Sequence, residues 1–299
     1  MKTTPTRITA IEGNRQWLDG GAMFGNVPRP LWEKWIAPDA SGRIPLACRS
    51  LLIEFAGRKL LCETGIGAFF EPKLAVRFGV EPPDRHLLLE NLRAHGHLPE
   101  SLDYVVLSHL HFDHAGGLLP TFAEGRDHLV FPRAQFLVGE EAWQRALHPH
   151  SRDRASFIPE LTTLLEASGR LIRLPRDPKA QARVLPPDLQ GRLEFVQSDG
   201  HTPGQLHTLF HGERQKVFFC GDLIPGRPWV HLPITMGYDR FPEQLIDEKT
   251  AVYGRAVPEN WWLFYTHDAT AAGSHVAQVP GGGKFEPTDV QTTFESFAI

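Results

Sequence analysis

Three imidazoles and one carboxylate fall within six residues in the segment Ser108-His109-Leu110-His111-Phe112-Asp113-His114-Ala115-Gly116-Gly117. Neutral imidazole and carboxylate are the ligands a borderline divalent ion takes, at about 2.0–2.2 Å for zinc. Alternate residues of an extended backbone point the same way, so His109 and His111 are placed to grip one ion. Asp113 and His114 lie past the point where the chain turns and are placed to face a second. Gly116 and Gly117 allow a tight turn and leave room beside a metal. The competing explanation is a solvated His-rich loop in a chain with 15 histidines. Four ligand-type residues at this spacing, directly after an apolar run, disfavour it.

Three distant segments add donors. His201 sits in Asp199-Gly200-His201-Thr202-Pro203-Gly204, Asp222 in Cys220-Gly221-Asp222, and His267 in Tyr265-Thr266-His267-Asp268. Each lies at a turn beside an apolar, strand-like run. Singly, each reads as a turn residue or a satisfied polar group. Together they supply a third ligand for each of two ions and one shared carboxylate.

The elements that position these residues are short. Residues 50–55 and 59–62 flank Ala56-Gly57-Arg58 as a hairpin. A helix follows Pro82-Pro83, with Asp84 as its cap, Leu88, Leu89 and Leu92 as its apolar positions and Gly96 as its stop. Residues 104–107 form a buried strand that leads into the His-rich loop. Strand 135–138, helix 139–147, a surface excursion at 148–159, helix 161–167 and an extended run at 171–174 come next. Residues 175–191 read as a long loop. Strands 193–197, 205–211 and 216–220, a helix at 242–257 and a strand at 261–265 follow, and the Gly281-Gly282-Gly283 tail reads as irregular. Strand runs in both halves, each followed by helix, predict two sheets with helices outside, an α/β sandwich.

Composition narrows the function classes. The chain has 299 residues, a net charge of −4, 22% charged and 41% hydrophobic residues, which is ordinary globular usage. A mildly acidic total argues against a dedicated nucleic-acid binder. Three unpaired cysteines, Cys48, Cys62 and Cys220, read as reduced thiols of an intracellular chain. No signal-type apolar region opens the sequence and no run approaches the ~18 residues of a membrane span. A soluble cytoplasmic protein that binds neither membrane nor nucleic acid is expected. A homodimer is allowed.

The motif His109-x-His111-x-Asp113-His114, followed in order by His201, Asp222 and His267, resembles the metallo-β-lactamase superfamily. The resemblance runs from about residue 46 to 268. The segments 20–25, 30–32 and 235–239 further resemble the quorum-quenching lactonase branch and the related methyl parathion hydrolases. The resemblance implies an αββα sandwich over residues 1–299, with an N-terminal extension at about 1–45. It implies two divalent ions, zinc first, with iron, manganese or cobalt as alternatives. One ion takes His109, His111 and His201, the other Asp113, His114 and His267, and Asp222 bridges them. A hydroxide between the ions then opens a lactone of the N-acyl homoserine class, with phosphotriester or aryl-ester hydrolysis as the alternative.

The residues around the motif add expectations and departures. Asp199, Asp268 and Glu63 are candidates to orient the imidazoles. The superfamily usually has Asp where Glu63 stands, and the longer side chain reaches a different imidazole or none. Homoserine lactonases place a Tyr shortly after the bridging Asp. Here Leu223-Ile224-Pro225 follows Asp222, which leaves Tyr238 to assist the leaving group or merely to pack. Phe24, Trp32, Trp229 and Phe241 are candidates for an apolar pocket that takes an acyl chain or aromatic ester, and 148–159 for a lid over it.

Overall fold

The computed structural model describes residues 5–299. Seven strands form a first sheet, in the spatial order Phe297–Ala298, Arg7–Ile11, Ser50–Phe55, Arg58–Cys62, Tyr104–Leu107, Gln135–Gly139 and Leu171–Leu174. Six form a second: Phe285–Gln291, Gly273–Gln278, Trp262–Phe264, Lys216–Phe219, Gln205–His211 and Leu193–Ser198. A separate ribbon pairs Gln16–Asp19 with Arg43–Leu46.

Alternation along each strand builds three apolar layers. Leu51, Ile53 and Phe55 point between the sheets and meet Phe210, Phe219 and Phe264. Leu52, from the same strand, faces out and packs with Leu88, Leu92 and Trp143 of the covering helices. On the far side, Leu209, Phe218 and Leu263 pack under Val252, Tyr253 and Ala256 of the helix Pro242–Glu259. The expected helix–sheet–sheet–helix sandwich is therefore present. Tyr104–Leu107 is paired in parallel on both edges and buried along its whole length. This accounts for its unbroken apolar sequence.

Several local expectations change. The loop expected at 175–191 contains a helix, Pro178–Val184, because Asp177 caps it through the Ala180 N–H at 2.8 Å. Gly281, Gly282 and Gly283 are irregular, as expected, but they turn the chain between two paired strands instead of ending it in a tail, and all three have positive φ. The strand Arg7–Ile11 lies inside the first sheet, between Phe297–Ala298 and Ser50–Phe55. Among the described residues no helix is long and apolar enough to cross a membrane.

The helix Leu87–Ala94 is capped by His86, not by Asp84. His86 Nδ1 accepts the Leu89 N–H at 3.4 Å, and its Nε2–H donates to the Gly117 carbonyl at 3.0 Å. Accepting at Nδ1 needs the neutral ring, and burial pushes its pKa below the usual histidine value. A base with a depressed folded pKa contributes stability above its unfolded pKa and loses it as pH falls. The stability gap between wild type and His86→Gln, measured by urea unfolding, is expected to be about 1–2 kcal/mol at pH 7.5, the scale of a lost cap plus a buried bond. It is expected to narrow towards pH 5. A gap that widens in acid contradicts this role.

Candidate metal centre

The donor residues converge at one edge of the sandwich, where strands of both sheets end. His109 and His111 follow Tyr104–Leu107, and His201 lies between Leu193–Ser198 and Gln205–His211. Asp222 follows Lys216–Phe219, and His267 follows Trp262–Phe264. His109 Nε2 lies 2.9 Å from His111 Nδ1, which lies 3.4 Å from His201 Nε2. His114 Nε2 lies 3.3 Å from His267 Nε2, and Asp113 approaches them at 3.8 and 3.6 Å. Asp222 stands between the trios. Its Oδ2 is 3.1 Å from His201 Nε2, and its Oδ1 is 3.3 Å from His114 Nε2 and 3.2 Å from His267 Nε2. All seven side chains are buried or nearly so.

The outer partners set the tautomers. His114 Nδ1 faces Glu63 Oε2 at 2.8 Å, His201 Nδ1 faces Asp239 Oδ1 at 2.9 Å, and His267 Nδ1 faces the Ala47 carbonyl at 2.7 Å. Ser108 Oγ donates to Glu63 Oε1, so it accepts from His109 Nδ1–H at 2.9 Å. Four outer nitrogens thus carry the protons, and four inner Nε2 lone pairs point at one another and at two carboxylates. Asp222 Oδ1 has no hydrogen-bond partner. Packed lone pairs without donors repel one another, and a cation between them removes the repulsion. The cluster therefore fits divalent metal.

The electrostatics agree. Burial pushes the Asp222 carboxyl up, but His114, His201 and His267 overcome this and hold it well below the usual carboxylate range. Burial drives His111 down to about 3 and His109 well below its usual value, so both stay neutral and able to ligate. At His114, His201 and His267 the surrounding carboxylates outweigh burial and favour positive charge.

Other expected residues take different places. Gly116 and Gly117 are required by close approach, not by a turn. A Cβ on Gly116 would lie 2.4 Å from the Ile66 carbonyl oxygen, and one on Gly117 2.0 Å from that of Thr64. Asp199 pairs with Arg176 and accepts the Gly204 N–H, so it does not reach His201. Asp239 takes that place. Asp268 holds Arg227 and the backbone of 270–271 instead of the His267 ring. Phe24, Trp32 and Trp229 stack in the outer core, at 5.6 Å for Phe24–Trp32 and 4.6 Å for Phe24–Trp229. Phe241 is exposed and does not line the cavity over the donors. The cavity over the donors, of about 740 Å³, is walled by Phe69, Phe70, Phe78, Phe112 and Phe157. Tyr238, Arg152, Asp153 and residues 155–160 line it too.

Two further residues matter that motif reading does not single out. Gln16 Nε2 donates to Asp113 Oδ2 at 2.7 Å. Buried Arg49 donates through Nη1 to the carbonyls of Tyr265, Asp268 and Ala271 at 3.0–3.1 Å, which fixes the loop carrying His267.

The family model of the metallo-beta-lactamase superfamily matches residues 43–267. The chain belongs to that superfamily. It is similar over its whole length to solved hydrolases. A probable metal-dependent hydrolase from Staphylococcus aureus aligns with a TM-score of 0.81 at 24% identity, covering 100% of this chain and 99% of that one. AidC, a dizinc quorum-quenching lactonase, aligns with a TM-score of 0.71 at 19% identity, covering 100% and 97%. Among curated proteins, Ribonuclease TTHA0252 of Thermus thermophilus is 33% identical over 126 residues, 42% of this chain. The chain spans only 27% of the length of that ribonuclease.

The contrast between Asp239 and Asp199 is testable. Asp239→Ala frees His201 and is expected to weaken metal affinity about 10–100-fold. Asp199→Ala is expected to leave affinity within about threefold, since it touches no imidazole. Competition with a chromophoric chelator measures both. Equal effects would contradict the assignment.

Proposed function

We propose that this metallo-beta-lactamase-type chain opens lactone rings of the N-acyl homoserine class, using two divalent ions, zinc first. His109, His111 and His201 would hold one ion and Asp113, His114 and His267 the other, with Asp222 shared between them. Residues 1–299 act as one hydrolase unit, cytoplasmic, with a small-molecule lactone or ester as partner. The observation that carries the reading is the shared cavity. The donor cluster, an aromatic wall and the Tyr238 side chain all line it. Ions bound there lower the pKa of water towards about 7 and polarise the scissile carbonyl.

This chain's residues do the rest. Glu63, Asp239, Ser108 and the Ala47 carbonyl fix the imidazoles, so little reorganises during reaction. The aromatic wall covers an apolar acyl chain and excludes water. Tyr238 is 43% exposed, and partial desolvation with the nearby Asp113 raises its phenol above the usual value. It therefore stays protonated at neutral pH and presents an O–H donor to the departing alkoxide.

Two variants separate bridge, leaving-group assistance and packing. Asp222→Ala is expected to lose at least ~10²-fold in turnover with the fold kept. Tyr238→Phe is expected to lose about 10²–10⁴-fold on a lactone, the range of general-acid catalysis. Its loss on an aryl phosphotriester, whose phenolate leaves unaided, is expected to be small. Equal small losses on both substrates would make Tyr238 a packing residue. An absence of lactone turnover in the wild type, with ester or phosphotriester turnover present, would replace the lactone reading.

A further inference from the structure

The cavity over the donor cluster is ringed by cations that form no ion pair among the described residues. Arg77, Arg126, Arg152 and Arg240 line it. None of the four has a carboxylate within salt-bridge distance among the described residues. Arg77 and Arg126 lie over the rings of Phe78 and Phe122, both at 5.8 Å. Outside the donor cluster, the lining offers two acids, Asp153 and Glu160. Asp153 is already gripped by Arg145, at 3.0 and 2.6 Å from its Nε and Nη2.

Arg152 and Arg240 form the sharpest feature. The Arg240 backbone N–H bonds to the Gly200 and His201 carbonyls at 2.9 and 3.2 Å, so its side chain starts beside the metal donors. Arg240 Nη2 and the Arg152 backbone N–H both reach His150 Nδ1, at 3.3 and 3.1 Å. Arg152 Nη2 donates to the Gly237 carbonyl at 2.8 Å, next to Tyr238. Arg240 Nη1 is buried and has no partner. Two guanidiniums that line one cavity, one with a buried free N–H, are costly to leave without an anion.

We propose that Arg152 and Arg240 form a subsite for a carboxylate carried by the substrate, so that the preferred substrate is an amphipathic acid. Its scissile ester or lactone carbonyl lies at the donor cluster, its apolar segment against the Phe wall, and its carboxylate on the two guanidiniums. A planar carboxylate accepts from Nη1 of Arg240, which fixes orientation as well as charge. This rests on the reading of the cavity as the hydrolytic site, and not on the ring being a lactone.

The test compares two homoserine lactones whose six-carbon acyl chains end in a free carboxylate or in its methyl ester. The carboxylate compound is expected to have about tenfold higher kcat/KM, through KM, and the advantage is expected to shrink with added salt. The acid-to-ester ratio is expected to fall towards one in Arg240→Gln and in Arg152→Gln, and to survive in Arg240→Lys. Metal content, measured alongside, separates a lost contact from a disturbed centre. A ratio near one in the wild type, or a ratio unmoved in both Gln variants, overturns the subsite. If neither lactone is turned over, phenyl esters of the same two acyl chains replace them. A charge preference there keeps the subsite while the lactone reading fails, and no preference removes both.

Discussion

The site depends on which way the histidine protons point. Three imidazoles give their outer N–H to an acceptor supplied by a distant part of the chain, Glu63, Asp239 and the Ala47 carbonyl, and His109 gives its own to the adjacent Ser108. Each inner nitrogen is left with a lone pair in a buried space that also holds Asp113 and Asp222. Such a cluster is stable only around positive charge, because burying unpaired acceptors against one another costs free energy that no neighbour here repays. Glu63 has both oxygens engaged, by Ser108 and His114, so it acts from outside the cluster.

That constraint explains much of the fold around it. The acceptors arrive from both sheets and from loops far apart in sequence, so the sandwich must close before the imidazoles are oriented. Arg49 ties the His267 loop by three carbonyls, and His86 ties the Gly117 carbonyl to a helix start. The Gly116-Gly117 pair lets the His-rich turn lie directly on the backbone of residues 64–66. Each device removes freedom from a loop that would otherwise carry ligands on mobile backbone. The cavity above is apolar on one wall and cationic at the rim, which under the proposed function assigns substrate orientation to the walls and reactivity to the floor.

The donors were legible because their signal is local. Three His and one Asp within six residues after an apolar strand have few other uses, and the later His, Asp and His each sit beside a strand. The strands 50–55, 104–107 and 205–211 were legible for the same reason, an apolar run bounded by turn residues. The orienting partners were not. Asp199 is two residues from His201 yet turns to Arg176, while Asp239, 38 residues away, completes the ring contact. Sequence proximity carried no information about which carboxylate would face the imidazole. The aromatic pocket failed similarly: Phe24, Trp32 and Trp229 are large enough to fill the outer core, and the wall comes from Phe residues on the other side of the sandwich. His86 as a cap was hidden because histidine is not a usual capping residue.

Anomalous diffraction at the zinc edge, from crystals of the zinc-loaded protein, tests the central claim most directly. The account predicts two peaks in each chain. One lies within ligand distance of His109, His111 and His201, the other of Asp113, His114 and His267, with one Asp222 oxygen facing each. A single peak, or a peak held by Glu63, His109 and His114, would contradict it.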